Sequence, residues 1–146
     1  MIRNEKEYRE MIKRLDQDLE FIKQQKELFQ QMGLSSEEIE RALAPTLSFH
    51  EQLKEEVEYY ERIKRGEFEA VKNLVGLGRI LIGIRIALGI SQRELAKLLN
   101  VSEAQISKDE RNEYHGITLE KAQKILDALG VTLTSKVEEL PEKLAV

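Results

Sequence analysis

Cysteine and tryptophan are absent from the 146 residues, and only two prolines and two histidines occur. Without cysteine there is no disulfide framework and no thiolate site for zinc or an iron–sulfur cluster, which fits a reducing compartment. His50 and His115 by themselves cannot build a metal centre, so no metal or cofactor is expected. No long apolar run is present either. The best candidate, Leu74 to Ile90, is broken by Arg79 and Arg85, each costing about 2.5–3.5 kcal/mol at a bilayer centre. The opening MIRNEKEYRE is too charged for the apolar core of a secretion signal. Together these predict a cytoplasmic chain with no membrane partner.

Sustained strand-like alternation is also missing, and the expected class is all-α. Charge is unevenly distributed. Residues 1–70 carry 12 Lys+Arg against 17 Asp+Glu, a net of −5, while residues 71–137 carry 10 against 7, a net of +3. Attraction to phosphate is local, within a Debye length of about 10 Å at ordinary salt. A modestly basic second half therefore leaves nucleic-acid binding open in a chain whose overall charge is −4.

Between about Lys6 and Met32, Tyr8, Ile12, Leu15, Leu19, Ile22 and Phe29 recur at spacings of three, four and seven, a coiled-coil seam. Gly33 ends that helix. Ser35 with Glu38 forms a capping pattern that opens a short helix through Ile39 and Leu43, closed by Pro45. A further helix is expected from Thr46–Ser48, where Ser48 and Glu51 repeat the pattern, carrying Leu53, Val57, Tyr60 and Ile63 toward Gly66. The product is a helical hairpin, or coiled-coil arm, over residues 1–66, serving dimerisation or partner binding. Residues 66–73 form the boundary with a second unit over 74–137, and 138–146 form a tail.

Within that second unit, Ile90–Asn112 is the informative stretch. Ser91 and Glu94 form one capping box and Ser102 with Gln105 forms a second cap only eleven residues later, so two helices meet at a tight corner. Asn100 sits where the corner needs a left-handed backbone. Ala96 is the small contact between the helices, with Leu95, Leu99, Val101 and Ile106 pointing into the space between them. Downstream, Thr118 caps a closing helix that packs Leu119, Ala122, Ile125, Leu126 and Leu129 and ends at Gly130.

On Gln92, the run Glu94–Leu95–Ala96, Val101 and Ile106, together with that closing helix, the segment resembles the helix-turn-helix of the Xre/Cro/CI family of bacterial and phage repressors. The likeness covers about residues 74–137, and it implies a lambda-repressor-like fold. It also implies a structural ion pair between Arg85 and Glu110. Asp109 departs from the family pattern, standing where a large apolar side chain is usual, so its carboxylate must face solvent or find a donor. The loop Arg111–Gly116 is longer and more polar than a tight turn, and puts Tyr114 and His115 within reach of a phosphate backbone.

Double-stranded DNA is then the expected partner. Gln92 and Ser102, at helix N-termini, are placed for phosphates. Glu103, Ala104, Gln105, Ser107 and Lys108 occupy the first turns of the recognition helix, 102–111, which enters the major groove. Lys108 suits guanine, Gln105 adenine, Glu103 cytosine and Ala104 a thymine methyl. Arg111 and Asn112 are further phosphate ligands. Two functions stay open: a homodimeric repressor on a palindromic operator, and an antitoxin whose arm neutralises a protein toxin while repressing its own operon. Catalysis is not expected. His50–Glu51 lacks the second histidine of a metalloprotease, position 54 being Lys. Gly76 and Gly78 are followed by Leu81, not by the third glycine of a dinucleotide loop.

Overall fold

The computed structural model describes residues 1–143, so the final three residues of the expected tail lie outside the described residues. Among those described there are six helices and no strands. The expected all-α class holds.

Asn4 begins the first helix, α1 (Glu5–Gln31), by accepting the Glu7 backbone N–H on its side chain. Gly33, at φ 81°, ends it, and the chain returns after only a short turn. Ser35 starts α2 (Ser36–Lys64) by accepting from the Glu38 N–H, as its position three residues before Glu38 predicts. The two helices are antiparallel, each about 40 Å long at 1.5 Å per residue. Their register is set at the base, where Tyr8 stacks on Tyr60 at 5.0 Å. There the Tyr8 hydroxyl also donates to Glu61 at 2.7 Å, and Lys64 pairs with Glu5 at 2.8 Å.

Two expectations for this hairpin are corrected. Pro45 does not close a short helix; it lies inside α2, and Ser48 caps nothing. Proline in a helix interior forfeits a hydrogen bond and crowds the preceding turn, at about 3 kcal/mol. Tertiary burial outweighs that penalty, because Ile39 and Leu43 before Pro45 and His50, Leu53, Val57 and Tyr60 after it are all buried. Only one uninterrupted helix puts both sets against α1. Pro45→Ala is therefore expected to raise the unfolding free energy by about 2 kcal/mol, the recovered hydrogen bond less the unfolded-state entropy proline removes. A urea titration checks this, and a lower midpoint in the variant would contradict it.

The seam of α1 is the second correction. Leu19 is 56 % exposed, and half-buried Asp18 takes its place, with its carboxylate 4.0 Å from Nδ1 of buried His50. After Leu15 the inward positions run Asp18, Ile22, Gln25, Phe29. Spacings of three-then-four and four-then-three are equally helical, and the polar partner across the hairpin decides between them.

After the linker, α3 (Leu77–Ala87), α4 (Gln92–Leu99), α5 (Glu103–Arg111) and α6 (Leu119–Leu129) form the head. Arm and head share one core. Ile2, Val57, Tyr60 and Ile63 join Leu81, Ile82, Ile84 and Ile86 of α3, and the same cluster continues through Leu95, Ala96, Ile106, Ile125 and Leu129. Gly83 permits the junction, since a Cβ there would lie 3.0 Å from Phe68 and 3.2 Å from Ile63. The N-terminal segment is clasped as well, with Arg85 Nη2 donating to the Arg3 carbonyl at 2.9 Å. No described helix is long and apolar enough to cross a membrane.

Candidate nucleic-acid interface

The corner between α4 and α5 follows from its caps. Ser91 Oγ accepts from the Glu94 N–H at 3.1 Å, and the Glu94 carboxylate accepts from the Ser91 N–H at 2.8 Å. That backbone donor, then the Ser91 hydroxyl, holds the Glu94 carboxyl below the ordinary glutamate range. Asn100 ends α4 at φ 54°, ψ 44°, the left-handed conformation expected of it. Ser102 then caps α5 by accepting from the Gln105 N–H at 3.1 Å.

Two inward residues orient α5. Ile106 and Glu110, four apart and so on one face, are each 1 % exposed. Ile106 packs in the core beside Leu95 and Ala96. Glu110 is gripped by Arg85 through Nε and through Nη2 at 2.8 Å, and accepts a third bond from Gln92 Nε2 at 2.7 Å. Arg85 Nη1 donates to the Ile90 carbonyl at 2.8 Å, so the ion pair implied by the resemblance is present and each guanidinium nitrogen has a partner.

With that face inward, Glu103, Ala104, Gln105 and Lys108 are exposed and Ser107 half-buried. Arg111 and Asn112 are exposed at the end of α5, and Ser102 is exposed at its start. Gln92 is half-buried, with one amide N–H given to Glu110. Gln105 is steered too: its amide donates to Asp109 Oδ1 at 2.9 Å. The second Asp109 oxygen accepts from Lys121 Nζ at 2.7 Å, so this carboxylate has found donors. The sequence reading missed Lys121. Its charge was the only signal, and nothing along the chain links it to a position twelve residues earlier.

Three placements differ from expectation. Val101 is 44 % exposed and Leu119 68 % exposed, so neither packs inside, whereas Leu95 and Ile106 do. Tyr114 does not reach outward: it is 5 % exposed, and its hydroxyl has no partner among the described residues. Burial first, then the carboxylates of Glu110 and Asp109, pushes its phenol above the ordinary tyrosine value. The cause is local backbone. Glu113 and Tyr114 are both left-handed, at φ 50° and 54°, which turns the chain back under α3. His115 alone of that pair stays exposed.

Two short helices joined at a left-handed asparagine, the second presenting a polar face, match the helix-turn-helix family model over residues 82–135. Residues 82–135 carry a helix-turn-helix domain. No curated protein and no solved structure matches the chain. The matched span covers α4 to α6 and the end of α3, a little over a third of the sequence. The helix-turn-helix domain is a DNA-binding regulatory module, not a catalytic one. The hairpin lies outside the span.

Proposed function

We propose that the chain is a dimeric transcriptional repressor that reads a palindromic operator with α5, its half-sites about 34 Å apart. One observation carries the reading: α5 is anchored by Ile106 and Glu110 while Glu103, Ala104, Gln105 and Lys108 remain exposed. Lys108 and Gln105 supply base contacts, with Ser107 and Ala104 beside them. Ser102, Gln92, Arg111 and Asn112 meet phosphates, which position the protein without specifying sequence. Glu103 tests for cytosine, and repels phosphate where the register is wrong.

The test is a gel shift on the DNA upstream of the protein's own gene, repeated across a salt series. Lys108→Ala is expected to cost about 1–3 kcal/mol of operator affinity, or about 5- to 150-fold, and to relax discrimination at one base pair. Arg111→Ala is expected to weaken specific and non-specific DNA alike and lower the salt slope by about one. No shift at low salt, where phosphate attraction is greatest, would reject the reading.

A second reading is favoured by a feature of the arm. Phe21, Leu28 and Met32 lie at spacings of seven and four, hence on one side of α1, and are 51 %, 46 % and 65 % exposed. An apolar stripe left uncovered by its own hairpin suits a protein partner, as an antitoxin requires of the arm that masks its toxin. Co-purification of the product of an adjacent gene, lost in Leu28→Asp, supports that role. A homodimer dispersed by Leu28→Asp, with no second protein retained, supports dimerisation.

A further inference from the structure

We propose that the cleft between arm and head binds a small organic anion bearing an apolar group. The cleft has a volume of about 470 Å³, within the roughly 300–1,000 Å³ of small-molecule sites. Its walls come from three places: the last turns of α2, the linker, and the start of α3.

Charge selects the sign of the ligand. Arg62, Lys72 and Arg79 line the cleft together with Glu67 and Glu69. Glu67 is already engaged by Arg65 at 2.8 Å, which leaves three cations facing Glu69. Arg79 is the key group. Its Nε is buried and has no hydrogen-bond partner among the described residues, and a buried donor without an acceptor is a costly exception that an incoming oxygen would relieve. Gly76, the N-cap of α3, also lines the cleft and brings no capping side chain, so the positive end of that helix adds to the same field.

The apolar requirement comes from Tyr59. Its half-buried ring lies beneath the Arg79 guanidinium at 4.7 Å and near that of Arg62 at 6.0 Å. Ile63 and Ile80 are also part of the lining. A carboxylate or phosphate on a ring or short chain satisfies both halves: its oxygens meet the guanidiniums, where planar donors favour paired bonds, and its body covers the tyrosine. A ligand so placed touches arm and head at once, and this site does not depend on how α5 meets DNA.

Phenyl phosphate is the probe, followed on the full chain by backbone amide NMR, with benzoate, inorganic phosphate and phenol as companion titrations. Saturable shifts confined to residues 59–63 and 69–80 are expected, at a Kd on the order of 1 mM or tighter. Benzoate binding in place of phenyl phosphate would assign the anion as a carboxylate. Arg79→Gln is expected to weaken binding about tenfold or more, and Lys72→Gln, at an exposed linker position where folding is not at stake, by about threefold. Shifts that never saturate, or that scatter over the surface, would overturn the site. So would unchanged affinity in both variants, and inorganic phosphate binding as tightly as phenyl phosphate would remove the apolar half of the proposal.

Discussion

Glu110→Ala is expected to lower the free energy of unfolding by about 3–5 kcal/mol. Its carboxylate is 0 % exposed and the facing Arg85 side chain 3 %. Removing the carboxylate strands a guanidinium that cannot shed its proton to escape the low dielectric. Two of its donors and the Gln92 amide lose their acceptor at the same time. The intact pair need not add much net stability, since desolvating two ions consumes most of their mutual attraction. That asymmetry makes the experiment decisive. Arg85→Met combined with Glu110→Leu removes both charges and should recover most of the loss, so the double variant is expected to be more stable than either single one in urea. A single Glu110→Ala costing under about 1 kcal/mol would mean the pair is hydrated in solution. DNA binding should fall with stability, because Glu110 is one of the two residues that fix α5 against the head.

The second large effect is at Gly78, and there competing terms disagree in sign. Helix propensity favours alanine over glycine by about 1 kcal/mol, so propensity alone predicts that Gly78→Ala stabilises α3. Packing predicts the reverse. A Cβ at Gly78 would collide with the Glu113 carbonyl oxygen and lie 3.1 Å from the Tyr114 Cβ. The first is backbone in a left-handed segment, where a shift drags the loop after α5 with it. Overpacking of this kind costs about 1–3 kcal/mol and more when backbone must move. A net loss of about 2–3 kcal/mol is expected, read as a fall in Tm of roughly 5–10 °C. Gly83→Ala is the comparison. Its close neighbours are side-chain atoms of Phe68 and Ile63 rather than backbone, which can give by a few tenths of an ångström at the junction, so its effect should be smaller. Stabilisation by about 1 kcal/mol at both glycines would show that helix propensity, not the approach of Glu113, governs Gly78.

How much was legible along the chain depended on the range of the interaction concerned. The caps at Ser35, Ser91, Ser102 and Thr118 each accept the N–H three residues on, as their spacing predicts. Asn100 and Gly130 are left-handed where the helices must stop. These contacts span a few residues, so neighbours in sequence suffice to reveal them. Pro45 was misread because a local rule was applied to a helix stabilised from across the hairpin. Tyr114 was misread for a similar reason, since its polar surroundings in sequence, Glu113 and His115, hide a backbone turn that buries its ring and hydroxyl alike.

Sequence by itself determined the helical class and the helix-turn-helix corner in the C-terminal part, with helices preceding it, because period, capping and turn chemistry act between residues less than a few turns apart. Only the tertiary structure decided which of Asp18 and Leu19 faces inward, that Asp109 takes Lys121 from α6, and that arm and head share one core. In each of those cases the deciding partner lies far away along the chain, or on another element. Whether burial repays its cost depends on what that partner offers across the gap.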